Sequence, residues 1–202
     1  LFGFMFWGII FEEIPIINRF IDHLYTNKGY NLEDLENTDP KLIKEMRNFY
    51  FDQIESYKKN KNKKITIDKM PLNLVHVGEI LRFFPNAKFI LALRHPYDCV
   101  LSCFMQNFML NHAMANFLNL DDTLKLYDLT MSLWKRYTNV FQIDHHLIRY
   151  EDVVSNFKKT IGDLLKFLDV KWSDNVTEFY KTAEKRGIIN TPSYNQVSQP
   201  IY

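Results

Sequence analysis

The sequence is sparing with cysteine, has no excess of either charge and offers no apolar run long enough to cross a bilayer. The two cysteines, Cys99 and Cys103, stand at i, i+4. On a helix that spacing puts both on one face, where a disulfide fits poorly, and no further cysteine completes a zinc site. They read as small apolar core residues, and their sparse use fits a reducing compartment, so the expectation is a cytoplasmic protein. Net charge is +1, from 25 Lys and Arg against 24 Asp and Glu, which argues against bulk capture of nucleic acid while leaving room for a local anion pocket. Leu1 to Phe11 is almost wholly apolar, but it has no basic flank and no cleavage site, and its length suits a buried strand. The chain opens on Leu1 rather than Met, which is expected of a fragment or of an incomplete gene model. No G-x-x-x-x-G-K-[ST] loop occurs. No metal-ligand cluster occurs either, and the adjacent His145 and His146 at a strand edge read as structural.

What is present is a globular balance. Of the 202 residues 47% are hydrophobic, 24% charged and 15% aromatic, enough for one domain with a sizeable core. Ile16, Ile17, Phe20, Ile21 and Leu24 recur at helical spacing after Pro15, which suits a first helical turn. Asn31 to Asp39 is a polar, acidic connection. Leu42, Met46, Phe49, Tyr50, Ile54 and Tyr57 mark a second helix, running into a solvated basic stretch, Lys58 to Lys64. Ile65 to Met70 alternates as a short strand stopped by Pro71, and Val75 to Phe84 reads as a helix.

Lys88 to Leu93 is a continuous apolar run of strand length, suited to a central parallel strand buried on both faces. Pro96 opens a helix expected to reach Phe108, and Asp121 to Tyr137 forms another. His146 to Tyr150 is a short strand, with Glu151 and Asp152 beginning the connection after it. Asn156 to Leu168 and Val176 to Arg186 are the last helices, and Thr191 to Tyr202 is a polar tail. Strands alternating with helices mean an α/β fold with a parallel sheet.

Three strand ends carry charge. Arg94 follows the buried run, and in open α/β sheets ligands sit outside the carboxyl ends of strands. Its planar fork suits a phosphate, and Ser102, about two turns into the next helix, could add a hydroxyl to the same anion. Spacing alone serves equally an Arg94 that caps carbonyls and a Ser102 that merely packs. Lys69 could reach an anion or a leaving oxygen, or be an ordinary lysine before a turn. Glu12 and Glu13, at a strand-to-helix junction, either complement the helix N-terminus or supply a general base.

Taken in order, these segments resemble a family. Asp68-Lys69-Met70-Pro71-Leu72-Asn73, then Phe84-Pro85-Asn86-Ala87-Lys88-Phe89-Ile90, then Arg94-His95-Pro96-Tyr97-Asp98 and Ser102, are similar to sulfotransferases that use 3′-phosphoadenylyl sulfate (PAPS). The closest resemblance is to the bacterial type often fused to tetratricopeptide repeats and related to protein-tyrosine sulfotransferases. Arg149-Tyr150-Glu151-Asp152-Val153-Val154 resembles that family's "YEDL" segment, and the tail from Thr191 resembles its cofactor lid.

The resemblance covers Phe11 to Tyr202 and implies that residues 1–202 are the C-terminal two-thirds of one sulfotransferase domain, a P-loop-like parallel sheet flanked by helices. It implies that Arg94 and Ser102 hold the 3′-phosphate of PAPS, that Tyr150 and Ser193 lie along the cofactor, and that Lys69 meets the leaving oxygen. Glu12 or Glu13 would deprotonate the acceptor. Analogy with the tyrosine enzymes points to Glu12, whereas Glu13-Ile14-Pro15 resembles the family's "ELP". No metal is implied for the transfer. The acceptor could be a tyrosine, a carbohydrate hydroxyl or a small alcohol, with Asn107 to Thr123 as the expected acceptor segment.

The family normally opens with a phosphate-binding loop resembling "PRSGTT", which this sequence does not contain, so weak PAPS binding is expected of these residues alone. Two rival readings keep the architecture. A P-loop kinase relative would need a Walker lysine and magnesium ligands, and a non-catalytic binding domain derived from a sulfotransferase would explain the missing loop.

Overall fold

A computed structural model describes residues 9–12, 14–57 and 65–177. They fall into two compact units, one within Phe6–Ala87 and the other running from Lys88 onward.

In the first unit, strand β1 (Ile9–Glu12) is followed by α1 (Ile16–Asp22), which widens into a π-helical turn over His23–Asn27. A long helix, α2 (Pro40–Tyr57), then leads to strand β2 (Thr66–Lys69), a 3₁₀ segment (Pro71–His76) and α3 (Val77–Phe83). β1 and β2 pair in parallel, from Ile9 opposite Thr66 to Glu12 opposite Lys69. The helical spacing of Ile16, Ile17, Phe20, Ile21 and Leu24 has the consequence read from it. All five are buried, together with Met46, Tyr50, Ile54 and Phe83. Phe20 sits at the centre, edge-on to Phe83 at 5.1 Å and to Tyr50 at 6.4 Å between ring centroids.

Two expectations are refined here. The acidic connection after Asn31 contains a 3₁₀ turn, Leu32–Asn37, because Asp34 Oδ2 accepts the Asn31 N–H at 3.0 Å and closes a capping box. The single helix expected from Val75 is 3₁₀ up to His76 and α-helical only from Val77, since Pro71 fixes the tighter opening turn.

In the second unit, β3 (Phe89–Leu93) leads through α4 (Pro96–Phe104), a 3₁₀ turn (Met114–Leu118) and α5 (Leu120–Val140) to β4 (His145–Arg149). Helices α6 (Tyr150–Ser155) and α7 (Phe157–Phe167) follow. β3 and β4 are parallel, from Phe89 opposite His145 to Leu93 opposite Arg149. Every residue of β3 is half-buried, where its apolar run suggested burial on both faces. Among the described residues β3 pairs with β4 alone, so it has the surroundings of a two-stranded ribbon rather than those of a sheet centre.

α4 ends at Phe104, short of Phe108. Asn111 Oδ1 then accepts the N–H groups of Ala113 and Met114 and starts a separate turn. Tyr150, Glu151 and Asp152 open a helix instead of a connection, because extended Arg149 caps it and two acids occupy its positive first turn. Of the helix expected over 176–186, only a 3₁₀ turn, Asp174–Val176, lies partly in that range, and the rest is outside the described residues. The fold is α/β, mostly helical, with parallel strand pairing. No helix among the described residues is long and apolar enough to cross a membrane.

The central position of Phe20 gives a direct test. Phe20→Ala should cost about 3–5 kcal/mol, seen in urea unfolding as a lower midpoint with the m-value kept.

Candidate functional site

Parallel pairing puts the carboxyl ends of two strands side by side. In the first unit these ends carry Glu12 and Lys69, directly opposite each other in register. Asp68 and Lys69, as neighbours on a strand, face opposite ways. Asp68 is tied down on its side, with Oδ2 accepting from the Tyr50 hydroxyl of α2 at 3.2 Å and Oδ1 from Asn73 Nδ2 at 3.0 Å. The Asn73 N–H in turn donates to Met70 O at 3.0 Å. The Asp68-to-Asn73 motif is therefore a closed turn, clamped to α2, that ends β2 and fixes the backbone of Lys69. Burial pushes the Asp68 carboxyl up, opposed by the donors Asn73 and Tyr50. Burial likewise raises the Tyr50 phenol, reinforced by the charge of Asp68.

In the second unit Arg94 stands one residue beyond the end of β3. Its guanidinium carbon lies 5.2 Å from the centroid of the Tyr150 ring, at the start of α6. Its Nε is 3.8 Å from Asp98 Oδ2, one helical turn further on, and has no hydrogen-bond partner among the described residues. Ser102 follows Asp98 by four residues on α4, so the two share a face of that helix.

Sequence reasoning passed over Asp98 as a partner of Arg94, although its i+4 position was there to be read. Cys99 and Cys103, next to that face, are buried and free of disulfide. A hydrogen bond from Cys103 pulls the Cys99 thiol down, burial opposes this, and the charge of Arg94 assists.

The structure thus brings Glu12 level with Lys69, and Arg94 against Tyr150. Glu13 and Ser193 lie outside the described residues. His145 and His146 use their rings in packing, against Trp134 at 5.4 Å and Phe167 at 5.4 Å. The segment from Asn107 to Thr123 folds around a Phe108–Phe117 ring contact at 5.2 Å and leaves Met109 92% and Leu118 68% exposed.

A family model described as the sulfotransferase family matches residues 18–174. An uncharacterized protein of Aquifex aeolicus (strain VF5) is 30% identical over 168 residues, which are 81% of this chain and 21% of that protein. The chain therefore spans about a fifth of the length of that relative.

The clamp on Asp68 has a pH signature. Its folded pKa lies above the unfolded value, so ionising it costs stability. The cost is absent below the unfolded pKa and complete above the folded one. Tyr50→Phe removes a donor to the charged form, so the Asp68 pKa should climb further. Stability at neutral pH should then fall by about 1–3 kcal/mol. The loss should be smaller near pH ~3, where the carboxyl is largely protonated. Urea unfolding at the two pH values, with a ¹³C titration of the Asp68 carboxyl, measures both effects.

Proposed function

The chain belongs to the sulfotransferase family, and from that premise we propose that it moves a sulfuryl group from PAPS to an acceptor hydroxyl. The observation that carries this reading is the state of Arg94. A permanently charged fork stands beyond the carboxyl end of a parallel strand, braced by the Tyr150 ring at 5.2 Å. Its ion pair with Asp98 at 3.8 Å is too long for a hydrogen bond, and its Nε makes none among the described residues. Such a group suits a phosphate, and the donor's 3′-phosphate is the feature that sets it apart from other adenine nucleotides.

When bound, PAPS supplies a sulfuryl group on a phosphate leaving group, a transfer in which positioning and charge stabilisation dominate. On this reading Arg94 and Ser102 hold the 3′-phosphate, with Tyr150 and Ser193 along the nucleotide. Glu12 accepts the proton of the acceptor hydroxyl as its oxygen bonds to sulfur. Lys69 meets the charge left on the bridging oxygen as the S–O bond breaks. The register of Glu12 opposite Lys69 supports Glu12 as the base. The exposed apolar side chains between Asn107 and Thr123 support that segment as the acceptor's side.

Calorimetry on the full-length protein tests the donor assignment. Arg94→Ala should weaken adenosine 3′,5′-bisphosphate by about 10- to 100-fold, the worth of one or two charge-assisted hydrogen bonds, and leave adenosine 5′-phosphate unchanged. Equal affinities in variant and parent for both nucleotides would sink the reading. Lys69→Ala should lower kcat by about 10²–10³ with the bisphosphate affinity kept.

A further inference from the structure

We infer that Glu151 is the positioning residue for Arg94, holding the backbone between β3 and α4 from the end of the neighbouring strand. The inference rests on the reading of Arg94 as the donor's 3′-phosphate ligand.

The β3–β4 ladder stops at Leu93 opposite Arg149. Arg94 and His95 lie beyond it, and Pro96 opens α4 without an N–H to offer. No side chain of its own caps that helix at His95. The His95 carbonyl accepts the Cys99 N–H of α4 at 3.0 Å, which leaves the His95 N–H as the group that neither flanking element holds. Its anchor comes from across the strand pair, where Glu151 Oε1 accepts the His95 N–H at 2.7 Å.

Glu151 is itself held. It sits in the first turn of α6, where an acid is favoured, and its Oε2 lies 3.8 Å from Arg149 Nε. Backbone N–H groups, its own and that of His95, hold its carboxyl below the ordinary range, so it is an anion at neutral pH. The residue before it, Tyr150, lays its ring 5.2 Å from the Arg94 guanidinium carbon. Consecutive residues at the start of α6 thus grip Arg94 twice, Tyr150 at the side chain and Glu151 at the adjoining backbone. A glutamate serving only its own helix would leave its carboxylate on the α6 amides. This one spends an oxygen on a different element.

Glu151→Ala and Glu151→Gln separate positioning from general support, because Gln keeps an oxygen for the His95 N–H. Two measurements apply, hydrogen exchange at the His95 amide by NMR and calorimetric affinity for adenosine 3′,5′-bisphosphate against adenosine 5′-phosphate. In Glu151→Ala the His95 amide should exchange faster and bisphosphate affinity should fall about five- to tenfold, with 5′-phosphate affinity kept. Glu151→Gln should restore most of both. Wild-type exchange at His95 in Glu151→Ala, equal weakening of both nucleotides, or no rescue by Gln would overturn the inference. Arg94→Ala run alongside keeps the two readings apart. If that variant binds both nucleotides like the parent, the donor assignment fails on its own account, while the exchange rate at His95 still judges the clamp.

Discussion

Parallel register is the constraint on which the rest of this structure depends. An antiparallel pair would send the two chain ends to opposite edges. A parallel pair brings both carboxyl ends to the same edge, and side chains distant in sequence emerge together. Each unit uses this once. β1 and β2 finish level on Glu12 and Lys69, while β3 and β4 finish level on Leu93 and Arg149, with Arg94 and Tyr150 next along their chains. Parallel strands need a crossover, which explains why most of the regular structure among the described residues is helical. α1 and α2 separate β1 from β2, and α4 and α5 separate β3 from β4. The helices exist to return the chain in the same direction, and burying their apolar stripes stabilises the arrangement.

At each end an anchored residue precedes a charged one. Asp68 is pinned by Tyr50 and Asn73, and the next residue is Lys69. Ile148 is 1% exposed, and the next residue is the exposed Arg149. The period of two that makes a strand amphipathic here directs a charged side chain by fixing its neighbour. The two anchors differ in cost. Ile148 gains by leaving water, whereas burying Asp68 raises its pKa and works against the fold even with its donors in place, and more so without them. A polar anchor in return gives direction. A carboxylate with two donors holds one orientation, and the turn that supplies Asn73 is held with it.

How much of this the sequence disclosed depended on how local the signal was. The spacing of Ile16, Ile17, Phe20, Ile21 and Leu24 needs one helix to be meaningful, and all five are buried. The punctuation of Arg94, His95 and Pro96 likewise gives a strand end and a helix start to within a residue. The opening of α6 was missed because six residues carry too little periodicity, and Tyr150 to Asp152 therefore read as strand end and connection. β3 was read as doubly buried because a continuous apolar run looks the same whether a strand is fully buried or, as here, half-buried with one partner among the described residues. Its surroundings are a tertiary fact. The bonds of Asp68 to Tyr50 and of Glu151 to His95 bridge separate elements, and no spacing rule reaches them. That the backbone of Glu12 stands level with Lys69 is likewise a matter of pairing across strands.

The surroundings of Arg94 also explain why this position suits arginine over lysine. The contact with Tyr150 engages the guanidinium through its delocalised plane, and a plane so engaged still has its edge donors available. An ammonium ion has neither a plane nor a fixed edge. Placed over the same ring it would offer three rotating donors, with no preferred direction toward an anion. Asp98, at 3.8 Å, attracts the side chain weakly without taking its hydrogen bonds. The ring, the distant carboxylate and the anchored backbone beside it each remove some freedom from Arg94, and none of them consumes the fork. On the proposed reading, a cation held this way has met much of its ordering cost before the donor's phosphate arrives, and preorganisation of that kind would make one charged side chain a binding determinant.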